Sequence, residues 1–152
     1  MLKLYVLSTL LPFAFANCND LKGCWVNEKN SVLQIDPRGY VVGGRFKTAV
    51  ESAPGAGGKD SLPITGWIND TMISFTVLFP QSTVGFVGQC YESKTVRGLR
   101  TVIVQDVMET MWLLLSRQES IEKHWMSTRV GNDRFTRTKE CQFEEDNDNS
   151  LS

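Results

Sequence analysis

The sequence has one histidine, His124, and no C-x-x-C pair among its 152 residues, so the side chains for a zinc or redox-dithiol site are missing. No G-x-S-x-G elbow occurs, and nothing brings His124 toward a serine, which removes the usual support for a nucleophilic triad. No pattern singles out a carboxylate pair for glycoside cleavage. The chain therefore reads as non-catalytic, with neither metal nor cofactor. Lys and Arg are not clustered and the formal net charge is −1, which argues against a nucleic-acid partner. After residue 16 no apolar run approaches the roughly 20 residues needed to span a bilayer, so no membrane segment is expected. Sustained helical sequence is scarce too. Only 105–115 and 117–124 carry enough Met, Glu and Leu to suggest helix, and propensity is a weak guide that tertiary context overrides.

What is present begins with an export signal. MLKLYVLSTLLPFAFA, residues 1–16, has one Lys, an apolar run and the small-x-small Ala14-Phe15-Ala16, after which a signal peptidase cuts. A secreted, extracellular protein meets an oxidising compartment, so Cys18, Cys24, Cys90 and Cys141 read as disulfide partners. Four cysteines allow three connectivities, and spacing does not choose among them. Asn69-Asp70-Thr71 is an N-glycosylation sequon. The end of the chain, QFEEDNDNSLS (142–152), is acidic and polar and reads as a disordered tail, leaving one domain over 17–141.

That domain reads as all-β. Short runs rich in Val, Ile, Thr, Phe and Trp alternate with Gly, Pro, Asn and Asp. Strands are expected near 24–27, 31–36, 40–51, 62–68, 72–79, 83–91, 99–115 with an internal turn, 123–130 and 134–140, the last two parted by a Gly131-Asn132-Asp133 turn. SAPGAGGKDS, 52–61, reads as a flexible loop. Residues two apart share a strand face. One parity gathers Trp25 and Asn27, then Phe46, Thr48 and Val50, then Ser82, Val84 and Phe86, then Trp112, Leu114 and Ser116. Large apolar groups mixed with hydroxyls and an amide suit a ligand pocket better than a dry core, where each unpaired polar group costs about 1–3 kcal/mol. Met111, Leu113 and Leu115 take the opposite parity, so this strand is apolar on both faces and calls for cover by another subunit.

Five motifs then occur in order: GCWVNEKNSVLQI, GGRFKTAV, VGFVGQC, TMWLLLS and WMSTRVGNDRFTR. Together they resemble the avidin and streptavidin family over about Leu21 to Thr138. The resemblance implies an eight-stranded antiparallel up-and-down β-barrel that binds biotin at its open end and assembles as a homotetramer.

Carried over position by position, the resemblance puts Asn27 and Ser31 on the ureido oxygen of biotin, with Phe46 where the family has a tyrosine hydroxyl. Thr48 and Asp133 match the acceptors for the ureido N–H groups. Val84 stands where a threonine meets the ring sulfur, and Phe79, Phe86 and Trp112, with Leu114 and Val50, match the apolar walls. Ser52, Ala53 and Ser82 match the carboxylate end, and parity sends Glu51 outward. Trp125 matches the indole that closes a neighbouring subunit's site, and Met111 and Val130 match interface positions. Asn132 puts an amide where an aliphatic is common, and Lys29 reads as a solvated loop charge. The resemblance implies a Cys18–Cys90 bridge, with Cys24 and Cys141 paired to each other or between subunits. The segment 91–109 is longer than the family's hairpin. Phe46 and Val84 also leave open a barrel with weakened biotin affinity that holds another small molecule.

Overall fold

The computed structural model of the chain describes residues 18, 20–51, 57, 60–98 and 101–143. The expected signal peptide 1–16, most of the expected tail, Ser52 and Ala53 lie outside these residues. Eight antiparallel strands form a closed barrel in sequence order: β1 (Gly23–Asn27), β2 (Val32–Arg38), β3 (Val41–Lys47), β4 (Leu62–Asn69), β5 (Met72–Phe79), β6 (Ser82–Arg97), β7 (Thr101–Ser116) and β8 (Thr128–Thr138). β8 closes on β1 through Trp25 opposite Arg137 and Asn27 opposite Phe135, so the sheet has no free edge around the barrel. A short 3-10 helix, η1 (Ile121–Met126), links β7 to β8.

Alternation decides which side chains go in. β4 and β5 bury Ile64, Ile73, Phe75 and Val77 and leave Pro63, Thr65 and Thr76 exposed and Ser74 half-buried, the pattern of a sheet with one wet face. With Trp25, Leu33, Ile35, Val42, Met108 and Phe135 they fill the interior, each large side chain contributing about 1.5–3 kcal/mol on burial. On β3 the inward position between Val42 and Phe46 is Gly44, with φ 144°, where a Cβ would fall 1.9 Å from the Gln34 carbonyl oxygen. Glycine is needed there because β2 and β3 approach too closely for any side chain.

Trp25 does not face a pocket, as its parity suggested. It is fully buried at the closed end: its indole N–H donates to the Leu21 carbonyl at 3.0 Å, and the Arg137 guanidinium lies 4.3 Å from its ring centre. Arg137 also donates through Nε to Asp106 at 2.5 Å, through Nη1 to the Lys22 carbonyl at 3.0 Å, and through Nη2 to the Asp20 carbonyl. Two disulfides reinforce this end. Cys18–Cys90 ties the segment before β1 to β6, and Cys24–Cys141 ties β1 to the segment after β8, both within the chain.

Three strand expectations need correction. β7 runs unbroken from Thr101 to Ser116, a strand as expected but without the expected internal turn; the chain reverses instead at Gly98, with φ 68°, and residues 91–97 pair only with 101–107 as a ribbon beyond the barrel. The expected strand 123–130 is replaced by η1 and the start of β8. Gly131-Asn132-Asp133 is no turn but the middle of β8, opposite Trp112, Met111 and Thr110. Turn chemistry lost there to pairing, since the ladder satisfies the backbone and Gly131 faces the indole of Trp112.

Candidate ligand-binding site

The β1–β2, β3–β4, β5–β6 and β7–β8 connections gather at one end of the barrel, above the aromatic core. There the inward parity continues into a cavity of about 220 Å³. Its apolar wall is Phe46, Phe79, Val84, Phe86, Trp112 and Leu114, with Val50 at the β3–β4 loop. Phe86 stacks on Phe75 at 4.6 Å and 13°, and Phe46 tilts against Phe86 at 5.6 Å, so the rings brace one another. Its polar side presents Ser31, Thr48, Ser82, Ser116 and Asp133, with Lys29, Glu51 and Arg129 also lining it.

Hydrogen bonds already made limit what each polar group can offer. Ser31 Oγ accepts from the Ala49 N–H at 3.0 Å, which leaves its own hydrogen to donate. Thr48 Oγ1 donates to the Val50 carbonyl at 2.9 Å, so toward a ligand it can only accept. Asn27 lies buried behind the lining, its Oδ1 accepting from the backbone N–H of Lys29 at 3.0 Å and of Ser31 at 2.7 Å. Its amide N–H groups remain as donors. Asp133, 6% exposed, accepts from Lys29 Nζ at 2.9 Å, and Thr110 Oγ1 holds its carbonyl at 3.0 Å. That hydrogen bond raises the Lys29 pKa above 10.5; burial works against it, and the charges of Asp133 and Glu28 add to it. Glu28 accepts from the Arg134 N–H at 3.0 Å, so β8 clasps the β1–β2 turn.

Of the residues singled out in the sequence, the cavity brings together Ser31, Phe46, Thr48, Val50, Phe79, Ser82, Val84, Phe86, Trp112, Leu114 and Asp133. Asn27 is set behind them, and Ser52 and Ala53 fall outside the described residues. Trp125 sits on η1, 79% exposed and away from its own chain's cavity. Lys29 is an exposed charge on the β1–β2 loop, as expected, but it is paired with Asp133 and lines the cavity; the expectation for Glu51 fails, because β3 ends at Lys47, strand parity stops there and Glu51 lines the mouth. Sequence reasoning missed Arg129 and Gly131. A Cβ at Gly131 would lie 2.3 Å from Trp112 Cζ2, so this glycine makes room for the cavity's indole. The signal for it was the Trp112–Gly131 register, which a turn reading hides.

A closed antiparallel barrel with an aromatic-walled cavity at one end defines a small-molecule binding barrel. The chain belongs to the avidin family, whose sequence model matches residues 15–138. It is similar to avidin-related protein 4/5 of Gallus gallus, 32% identical over 95% of this chain and 94% of that one, and to avidin of the same species, 33% identical over 91% of each. Among solved structures it resembles a biotin binding protein from chicken, with TM-score 0.64 and 30% identity over 79% of this chain and 97% of that one. Xenavidin matches with TM-score 0.62 and 29% identity, over 78% and 97%.

Proposed function

We propose that the protein is a secreted, non-catalytic binder that holds biotin in this cavity. The observation that carries the reading is the split of the polar side into donors and acceptors. Ser31, with the Asn27 amide behind it, can donate, whereas Thr48 and Asp133 can accept, and a cyclic urea presents one carbonyl oxygen between two N–H groups. The aromatic wall takes the bicyclic body, and the anionic tail points to the mouth, toward Ser82 and Arg129. Within the relatives, a chicken protein of this fold is itself described as a biotin binding protein.

The exposed Trp125, in this proposal, closes the site of a neighbouring subunit, and the exposed outer faces of Met111, Leu113 and Val130 are covered in a homotetramer. Ligand then stabilises the assembly by mass action. Residues 1–16 act as the signal peptide, 17–141 form the mature barrel and 142–152 its acidic tail. Both disulfides accord with export, and Asn69, exposed at the end of β4, is the glycosylation site. Phe46 offers no hydroxyl, which sets affinity about ten- to a hundredfold below that of a barrel with a phenol there. The same observation favours one other reading, a barrel whose preferred ligand is a different small molecule. Titration calorimetry with biotin on the disulfide-bonded protein decides between them. Saturable heat with one site per chain supports the proposal; no heat and no competition by a biotin analogue rejects it.

A further inference from the structure

The Lys29–Asp133 pair joins the β1–β2 turn to β8 and stands on the cavity lining. Lys29 belongs to the β1–β2 turn and Asp133 to β8, and both line the cavity. The ammonium has three N–H donors and gives one to Asp133 Oδ1 at 2.9 Å. Among the described residues no other side-chain partner claims either group: the Lys29 ammonium keeps two donors and the Asp133 carboxylate keeps acceptor capacity. Lys29 is 45% exposed at the side chain while Asp133 is 9%, so the ammonium is the open member of the pair, and both residues line the cavity. The turn is held by Asn27 Oδ1 on the Lys29 N–H and by Glu28 on β8, which fixes the backbone from which the lysine side chain extends. The apolar wall at Phe46 and Phe86 has no side-chain hydrogen-bonding atom.

Resting on the biotin reading above, we infer that Lys29 is a specificity-determining ligand contact: its ammonium donates to the ligand's head-group carbonyl oxygen while Asp133 accepts the adjacent N–H. A fixed cation beside a fixed anion reads a neutral head that carries an acceptor next to a donor, and it turns away a head that is itself cationic at the acceptor position. Charge-assisted donation is stronger than a neutral hydroxyl's, so Lys29 supplies polarisation of the carbonyl that Phe46 cannot. The discriminating ligand class is therefore the neutral cyclic urea over its guanidinium counterpart.

The test compares the parent protein, Lys29→Met and Lys29→Gln in binding biotin and 2-iminobiotin, whose ring carries =NH in place of oxygen and is cationic when protonated. Lys29→Met keeps the stem and removes the charge. At neutral pH it is expected to weaken biotin about 10- to 100-fold. The protonated imino analogue should bind as well as before or better, so the ratio of the two affinities collapses; Lys29→Gln, which keeps a neutral donor, falls between. A biotin Kd that is unchanged or lower in Lys29→Met overturns the inference. Equal weakening of both probes overturns it as well, since that is what a lysine serving only to position Asp133 would give. A parent protein that binds no biotin overturns the proposed function and this inference together, whereas a binding parent with an unchanged affinity ratio overturns this inference alone. Thermal unfolding of the ligand-free variants separates misfolding from lost contact, because a folded Lys29→Met still reports the ratio.

Discussion

Arg137 offers the sharpest test of how the closed end is held. Its guanidinium faces Trp25 at 4.3 Å, donates to Asp106 and reaches the Lys22 and Asp20 carbonyls, linking β8 to β7 and to the segment before β1. Asp106 has a side chain only 5% exposed, so Arg137→Met strands a buried carboxylate. Breaking a buried pair costs about 3–5 kcal/mol; because Arg137 is itself 31% exposed, water can partly replace it, and the lower end, about 3 kcal/mol, is expected. For a barrel of this size that is a fall in Tm of roughly 10–15 °C. Thermal unfolding by circular dichroism, at fixed protein concentration without ligand, measures it. The companion variant, Arg137→Met with Asp106→Leu, removes both charges and should recover most of the loss, since apolar replacement of a buried pair is often neutral. A single-variant drop below about 1 kcal/mol, or a double variant as unstable as the single, would refute the account of a buried carboxylate held by its partner.

Three other outcomes follow from the site. Phe46→Tyr places a phenol in the cavity, 5.6 Å from the ring of Phe86, and should slow biotin dissociation about ten- to a hundredfold by stopped-flow chase; an unchanged rate would place the urea elsewhere. Gly131→Ala drives a methyl against the Trp112 indole and should cost roughly 1–3 kcal/mol in stability and weaken ligand binding, read by thermal unfolding and calorimetry. The raised pKa of Lys29 means its pairing stabilises the fold fully below about pH 10.5 and is lost as pH climbs through the higher folded value. The stability difference between the parent and Lys29→Met should accordingly stay level from about pH 6 to 9 and close only in strong alkali; a difference that shrinks between pH 7 and 9 would contradict the Lys29–Asp133 hydrogen bond.

Most of the site was legible because strand parity is a local rule. Once the runs near 83–91 and 99–115 were read as strands, alternation put Ser82, Val84 and Phe86 on one face and Trp112, Leu114 and Ser116 on another, and all six share the cavity. The rule failed where the strand itself ended. Glu51 lies beyond Lys47, so alternation no longer governs it, and it turns to the cavity mouth. It failed again at Gly131-Asn132-Asp133, which has turn composition but lies in β8 because β7 pairs with it residue for residue. Trp25 shared the pocket's parity and yet is core, since parity gives the face of a strand and not the depth along the barrel.

Composition, alternation and five ordered motifs were enough to define an all-β barrel of this family and most of the residues that line its cavity, because side-chain direction along a strand follows from backbone geometry alone. Whether Cys24 joins Cys141 within the chain was left to the fold: β1 and β8 become neighbours only when the barrel closes, and that closure sets Cys24 5.2 Å from Cys141 between their Cα atoms. The pairing of Lys29 with Asp133 belongs to the same class of fact. Residues 104 positions apart meet there at 2.9 Å, and a charge that looked solvated in one dimension becomes part of the cavity in three.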